Sequence, residues 1–320
     1  MQRSRELGFA SVVLAALTVA GGAAALTPDR TIVTSLPVRD LALTGRSVAF
    51  VADAPKRLQC ARIGLWNSAT NRRFVFDSKE QCLEEGSTGQ GVWDVAVATR
   101  RVLWLTFAGG NFREWSLWTA TTTRPKPRQL RFVARDVDGA PPIALGPGTA
   151  EGMPYAVDRR VVYLADSGKA IFTTTVAAPV RAIAAGQGPN GVRVAALLSS
   201  GVVVGLDRRG QNVTTVDTFP RGSVTAVRVS RHGIALQMRN EVHFDDVAVE
   251  LPSGANMLDI AQDRVLWMRA GDLGTTTITT GKSARLVDGT PRKPAHGQIE
   301  PQGVAWSVGR TVRWRGGTFQ

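Results

Sequence analysis

A strand, a polar turn and a second strand recur along this chain as one unit, and that recurrence leaves few folds open. Asp40-Leu-Ala-Leu-Thr-Gly-Arg-Ser-Val-Ala-Phe-Val51 is echoed by Asp94-Val-Ala-Val-Ala-Thr-Arg-Arg-Val-Leu-Trp-Leu105, with the Asp, the turn and the aromatic in register. Shorter copies span 156–164, 259–268 and 298–307, and two fainter ones lie at 226–236 and 191–197. With Phe50, Trp104, Tyr163, Ala196, Leu236, Trp267 and Trp306 taken as equivalent, the mean spacing is about 43 residues. A period near 40 to 45 residues with four short strands per unit is what a β-propeller blade requires. Helical repeats of that length do not fit, because the segments alternate with period two and are rich in Val, Thr and aromatic residues.

Two further strand candidates follow each clear hairpin: 61–66 and 73–76 after the first, 115–118 and 129–133 after the second, 201–206 and 213–216 later on. The last unit runs out of chain after 304–308 and 311–314, whereas 31–38 is a lone strand ahead of the first hairpin. Pairing the two closes the ring, and closure removes strand edges that would otherwise invite aggregation. The expectation is an all-β propeller of about seven four-stranded blades, one domain over 26–320, with six or eight blades as the alternatives.

The segment from Gly45-Arg-Ser-Val-Ala-Phe-Val-Ala52 to Ile63-Gly-Leu-Trp-Asn-Ser-Ala-Thr70 resembles a repeat of the TolB-like, WD40-like propeller superfamily. The resemblance implies architecture only. The Ser-Pro-Asp-Gly turn typical of those repeats is absent, as is the α/β domain that precedes the propeller in TolB, so a Tol-system role is not implied.

Residues 1–25 read differently from the rest. Arg3 and Arg5 precede an apolar run from Gly8 to Ala20, and Ala23-Ala24-Ala25 offers a small-residue cleavage site, which is the pattern of a secretory signal peptide. Cleavage is expected, with a retained membrane anchor as the alternative, and the destination is a bacterial extracytoplasmic one, secreted or envelope-associated. The two cysteines, Cys60 and Cys82, both follow the signal segment, so in an oxidising compartment they are expected to form a disulfide, two buried thiols being the alternative. The formal charge is +13, and the basic residues are scattered apart from doublets such as Arg72-Arg73, Arg100-Arg101 and Arg208-Arg209. This is read as background composition before it is read as a polyanion site.

Catalytic patterns are scarce. No Gly-x-Ser-x-Gly elbow occurs, and His232, His243 and His296 lack metal-ligand spacing, so neither a metal nor another cofactor is expected. Asp136-Val-Asp138-Gly139 has the start of a calcium loop without its downstream acid, and reads as a turn. Exposed indoles can stack on sugars or cations, but most of the eight tryptophans fall on core positions of the repeat. Trp93 and Trp115 do not. In propellers the inner strands begin at one mouth of the central channel, which by analogy of fold selects Arg39, Asp40, Trp93, Asp94, Asp259 and His296, with Lys56, Arg57, Phe112 and Arg113 on rim loops. Three readings follow. The first is a non-catalytic, monomeric binding or scaffold module for an unknown protein or an envelope glycan, binding neither nucleic acid nor, once cleaved, membrane. The second is a carbohydrate-active hydrolase or lyase using the channel-mouth carboxylates. The third is attachment to an anionic wall polymer.

Overall fold

The computed structural model describes residues 29–34, 37–52, 62–76, 90–110, 112–123, 126–136, 141–188, 191–244, 247–287 and 294–317. Cys60, Cys82, Lys56, Arg57, Asp138 and the N-terminal segment lie outside the described residues, as do the disulfide and signal-peptide expectations that rest on them. Every element among the described residues is a strand, and the strands form seven four-stranded antiparallel sheets. The fold is a seven-bladed β-propeller.

Blade 1 holds β2 (Val38–Thr44), β3 (Ser47–Ala52), β4 (Arg62–Asn67) and β5 (Arg72–Phe76), following the first strand, β1 (Arg30–Val33). Blade 2 holds β6 (Gln90–Val97), β7 (Arg101–Ala108), β8 (Phe112–Thr121) and β9 (Arg128–Asp136), and blade 3 holds β10 (Ile143–Leu145), β11 (Gly152–Val157), β12 (Arg160–Ala165) and β13 (Ala170–Thr175). Blade 4 is β14 (Val180–Ala185), β15 (Val192–Leu198), β16 (Val202–Asp207) and β17 (Val213–Thr218); blade 5 is β18 (Ala226–Ser230), β19 (Gly233–Met238), β20 (Glu241–Phe244) and β21 (Val247–Glu250). Blade 6 is β22 (Asn256–Ala261), β23 (Arg264–Arg269), β24 (Asp272–Thr277) and β25 (Ser283–Val287). Blade 7 combines β26 (Pro294–Glu300), β27 (Gly303–Val308) and β28 (Thr311–Gly316) with β1 as its outer strand.

The core lies between blades. Along β3, Val48, Phe50 and Ala52 pack towards blade 7, whereas Ala49 and Val51 pack towards blade 2. Along β7, Val102 and Trp104 face blade 1, and Leu103 and Leu105 face blade 3. Period-two geometry sends alternate side chains to opposite faces, and since both faces are covered, these strands read as continuous apolar runs. Phe50 lies over Gly64 of β4, where any Cβ would collide with the ring. That close approach explains the glycine in Ile63-Gly-Leu-Trp66.

Two registers need correcting. In blade 6 Trp267 pairs with Met257, and Val265 holds the place opposite Ile260 that Trp104 holds opposite Val95; the larger shift is in blade 3. The hairpin at 156–164 is the second and third strands of blade 3, not the first and second. The position equivalent to Trp104 is Tyr155, which packs between blades 2 and 3, whereas Tyr163 packs between blades 3 and 4. Both hairpins of a blade are strand, polar turn, strand, so the local pattern does not say which pair it is.

The strand expected at 31–38 closes the ring, but it spans only Arg30–Val33, and Val38 instead opens β2 of blade 1. Arg30, Thr31, Ile32 and Val33 pair antiparallel with Trp314, Arg313, Val312 and Thr311. Ile32 is buried with Val312, Trp314 and the β3 side chains of blade 1. If this strand closes the core, Ile32→Ala costs about 2–5 kcal/mol in urea unfolding. A loss below about 0.5 kcal/mol would mean that the strand only decorates the surface.

Candidate functional site

The inner strands carry a shared irregularity. In five blades the ladder between first and second strand slips by one residue, at Val38/Asp40, Val92/Asp94, Val180/Ala182, Met257/Asp259 and Pro294/His296. The skipped residues are Arg39, Trp93, Arg181, Leu258 and Ala295. A bulge bends its strand and re-aims neighbouring side chains, and here it places these positions near the start of the inner strands.

The residue after the bulge has a structural task in two blades. Asp40 accepts hydrogen bonds from its own neighbour Leu41 N at 2.8 Å and from Val95 N of blade 2 at 3.2 Å. Asp259 repeats this between blades 6 and 7, bonding the Ile260 amide and accepting from Ile299 N at 3.1 Å. The recurring Asp of the hairpin is thus a clip between inner strands. Asp94 accepts from Val95 N at 2.8 Å and is hydrogen-bonded to Asp40.

Asp40, Asp94, His296, Arg181 and Arg228 share a cavity of about 330 Å³ at this mouth, which we call the upper one. A second cavity, of about 350 Å³, opens at the lower mouth and contains Asp259 and Glu300. Pro147, Arg228 and Gln298 line both, forming the waist of the channel. Arg228 stands 3.2 Å from Asp259 Oδ1 and donates to Leu258 O at 2.5 Å; Gln298 Oε1 accepts from Leu43 N at 2.6 Å, tying blade 7 to blade 1.

Burial pushes the Asp40 carboxyl up to about 7 against the hydrogen bonds from Leu41 and Val95. It also raises Asp94 well above the usual range, where the charge of Asp40 adds to the effect. Two carboxyls this close hold one proton between them, because both cannot ionise cheaply. His296 Nδ1 lies 3.9 Å from Asp40 Oδ1, and burial lowers its pKa, which favours the neutral imidazole. At the lower mouth, burial and then the charge of Asp259 push Glu300 up to about 8.

Beside the upper cavity stands an aromatic cluster. Blade 2 has the longest strands in the ring, and its β7–β8 ladder runs through Ala108 opposite Glu114. Phe112 and Arg113, assigned from sequence to a rim loop, are therefore the first residues of β8. Trp93 is 51% exposed and sits edge-on to Phe107 and Trp115, with ring centroids 6.0 and 5.4 Å away. Arg113 caps Phe107 at 4.9 Å. Trp115 is only 4% exposed and packs behind Trp93.

Of the residues selected from sequence, Asp40, Asp94 and His296 meet in the upper cavity, with Trp93 next to Asp94 in the chain. Arg39 is exposed on its bulge, and Asp259 belongs to the lower cavity. Arg181, Arg228, Gln298 and Glu300 escaped selection. A signal for Arg181 was present, since Val180-Arg-Ala repeats the Val38-Arg-Asp and Val92-Trp-Asp pattern at the bulge. Arg228 and Glu300 sit in segments that read as ordinary hairpin.

No protein-family model matches the chain, and no curated protein is similar to it in sequence. Solved structures do share its fold. A chain in the crystal structure of the mitotic checkpoint complex superposes with a TM-score of 0.58 at 13% identity, over 98% of this chain and 99% of that one. A catalytically inactive histidine-to-alanine variant of virginiamycin B lyase from Staphylococcus aureus, with quinupristin, gives 0.54 at 8% identity, over 90% and 99%. What they share with this chain is the overall propeller fold. At these identities the likeness is one of fold alone.

The raised carboxyls set a pH dependence. In the unfolded chain Asp40 titrates near 3.8 and in the fold near 7, so the folded state holds an extra proton between those values. The contribution to stability is full below about pH 4 and is lost as pH rises towards 7. Asp94→Asn keeps an acceptor for Val95 N and can donate to Asp40. Its melting temperature should stay flatter than that of the wild type from pH 4 to 8, and exceed it by about 3 °C or more at pH 8. Parallel melting curves would show instead that the two carboxyls do not interact.

Proposed function

We propose that the protein is an exported, non-catalytic binding propeller of the TolB-like branch, which takes a polyhydroxylated ligand, a glycan of the bacterial cell envelope, at the upper mouth of its channel. The observation that carries this reading is Trp93, a half-exposed indole held rigid by Phe107 and Trp115 and adjacent in sequence to Asp94 of the cavity. An indole face offers an apolar plate to the C–H side of a pyranose ring, while carboxyls within reach can bond its hydroxyls. Arg181, on its bulge, lines the same cavity. Phe112, 53% exposed at the tip of the long hairpin of blade 2, extends the apolar surface.

Binding is favoured over hydrolysis by the state of the acid pair. Glycosidase chemistry uses two carboxyls about 5–9.5 Å apart, one poised as acid and one as base or nucleophile. Asp40 and Asp94 instead bond each other, and Asp40 accepts the Val95 amide, a bond that holds blades 1 and 2 together.

The test uses the full chain and purified envelope polysaccharide, read by tryptophan fluorescence and by release of reducing ends. Wild-type protein should bind without releasing reducing ends, and Trp93→Ala should weaken binding at least tenfold with little change in melting temperature. Release of reducing ends that disappears in Asp94→Asn would replace this reading with a hydrolytic one.

A further inference from the structure

A groove of about 440 Å³ lies well away from the channel, between the lower ends of blades 2 and 3, and is lined by Arg101, Thr119, Lys126, Arg128, Gly168 and Lys169 among others. Its lining contains four cations and no acid. Arg101 is 8% exposed, and its guanidinium is fixed by three donations: Nε to Asp166 O at 3.1 Å, one terminal nitrogen to Thr119 Oγ1 at 3.1 Å and the other to Ser167 O at 3.0 Å. Gly168, at φ +89°, is what lets the guanidinium lie there, since a Cβ at that position would stand 2.5 Å from it. These bonds use three of five N–H groups.

The electrostatics around this buried cation are unbalanced. Burial first, and the charge of Arg128 second, act against its charged form, and the charge of Asp166 acts for it. The neighbouring acid, Asp166, is taken by Arg100, whose backbone and side chain donate to its two oxygens at 2.6 and 2.9 Å. Lys126, Arg128 and Lys169 have no carboxylate partner among the described residues. A purely structural arginine would account for the carbonyl bonds but not for three more cations converging on it. A fixed guanidinium fork with further cationic side chains around it suits the tetrahedral oxygens of a phosphate.

We propose that this groove is an anion seat for a phosphate group carried on a polymer chain, independent of the upper mouth. The experiment titrates the full chain with polyphosphate by calorimetry, with inorganic phosphate as competitor. Arg128→Gln combined with Lys169→Gln removes two exposed charges, and melting curves show whether the fold is intact. A charge-matched control, Arg209→Gln with Arg221→Gln, removes two exposed charges elsewhere. Polyphosphate should bind the wild type and Trp93→Ala alike, with inorganic phosphate competing. The groove variant should lose at least tenfold in affinity and the control less than threefold. Absence of wild-type binding, equal losses in both double variants, or failure of inorganic phosphate to compete would each overturn the seat.

Discussion

The ring depends on a closure made by four residues. Each blade covers the face of the next, so an open ring would leave the outer side of blade 1 without its partner and a three-stranded blade 7 with a bare edge. Pairing Arg30–Val33 onto β28 supplies the missing strand, and the contact is reinforced from several directions. Arg30 donates to Ser68 O and Ala69 O of blade 1, Arg73 reaches back to Val33 O at 2.5 Å, and Arg315 grips Asp29 at 2.6 and 3.1 Å. The β1–β28 ladder and the Arg315–Asp29 pair join parts of the chain nearly its full length apart, so closure comes with a large loop-entropy cost. It holds because Ile32 enters a formed apolar cluster at the same time.

Closure also determines what the channel can be. Seven inner strands brought side by side need links along their length, and the clips are polar: Asp40 between blades 1 and 2, Asp259 between 6 and 7, Gln298 between 7 and 1, Arg228 between 5 and 6. Burying these groups raises the carboxyl pKa values and narrows the passage to a waist. The upper and lower cavities are what remains on either side. A ligand at the upper mouth therefore meets groups whose first role is to hold the ring, and affinity has to come from residues that the ring does not need, such as Trp93.

The blade number and the closing strand were legible because they rest on a spacing that many residues share and on a lone strand ahead of the first hairpin. Trp104 and Trp306 announce themselves as core by position in the repeat. The site was legible only in part. Asp40 and Asp94 were found because they recur, yet their recurrence reflects clipping more than chemistry. Arg228 was hidden because a lone arginine between valines looks the same whether it points to solvent or across a channel, and only ring geometry separates the two. Blade 3 was misregistered because its first strand is three residues long and its second hairpin imitates the first.

The basic composition acquires a physical reading through the same geometry. Outer strands are the free edges of the blades, and arginines occupy them on blades 1, 2, 6 and 7, at Arg72, Arg128, Arg131, Arg285 and Arg30. Charge on an exposed edge discourages pairing with another chain, so scattered arginine is what a propeller with seven such edges can use. That role asks only for separation and solvent. Between blades 2 and 3 the arrangement departs from it: Arg101 is drawn inward over Gly168 while Arg128, on the outer strand, remains close enough to act against its charge. Edge protection does not call for a buried guanidinium opposed by a neighbour. A bound anion does, because it converts the mutual repulsion of these cations into attraction towards a common centre.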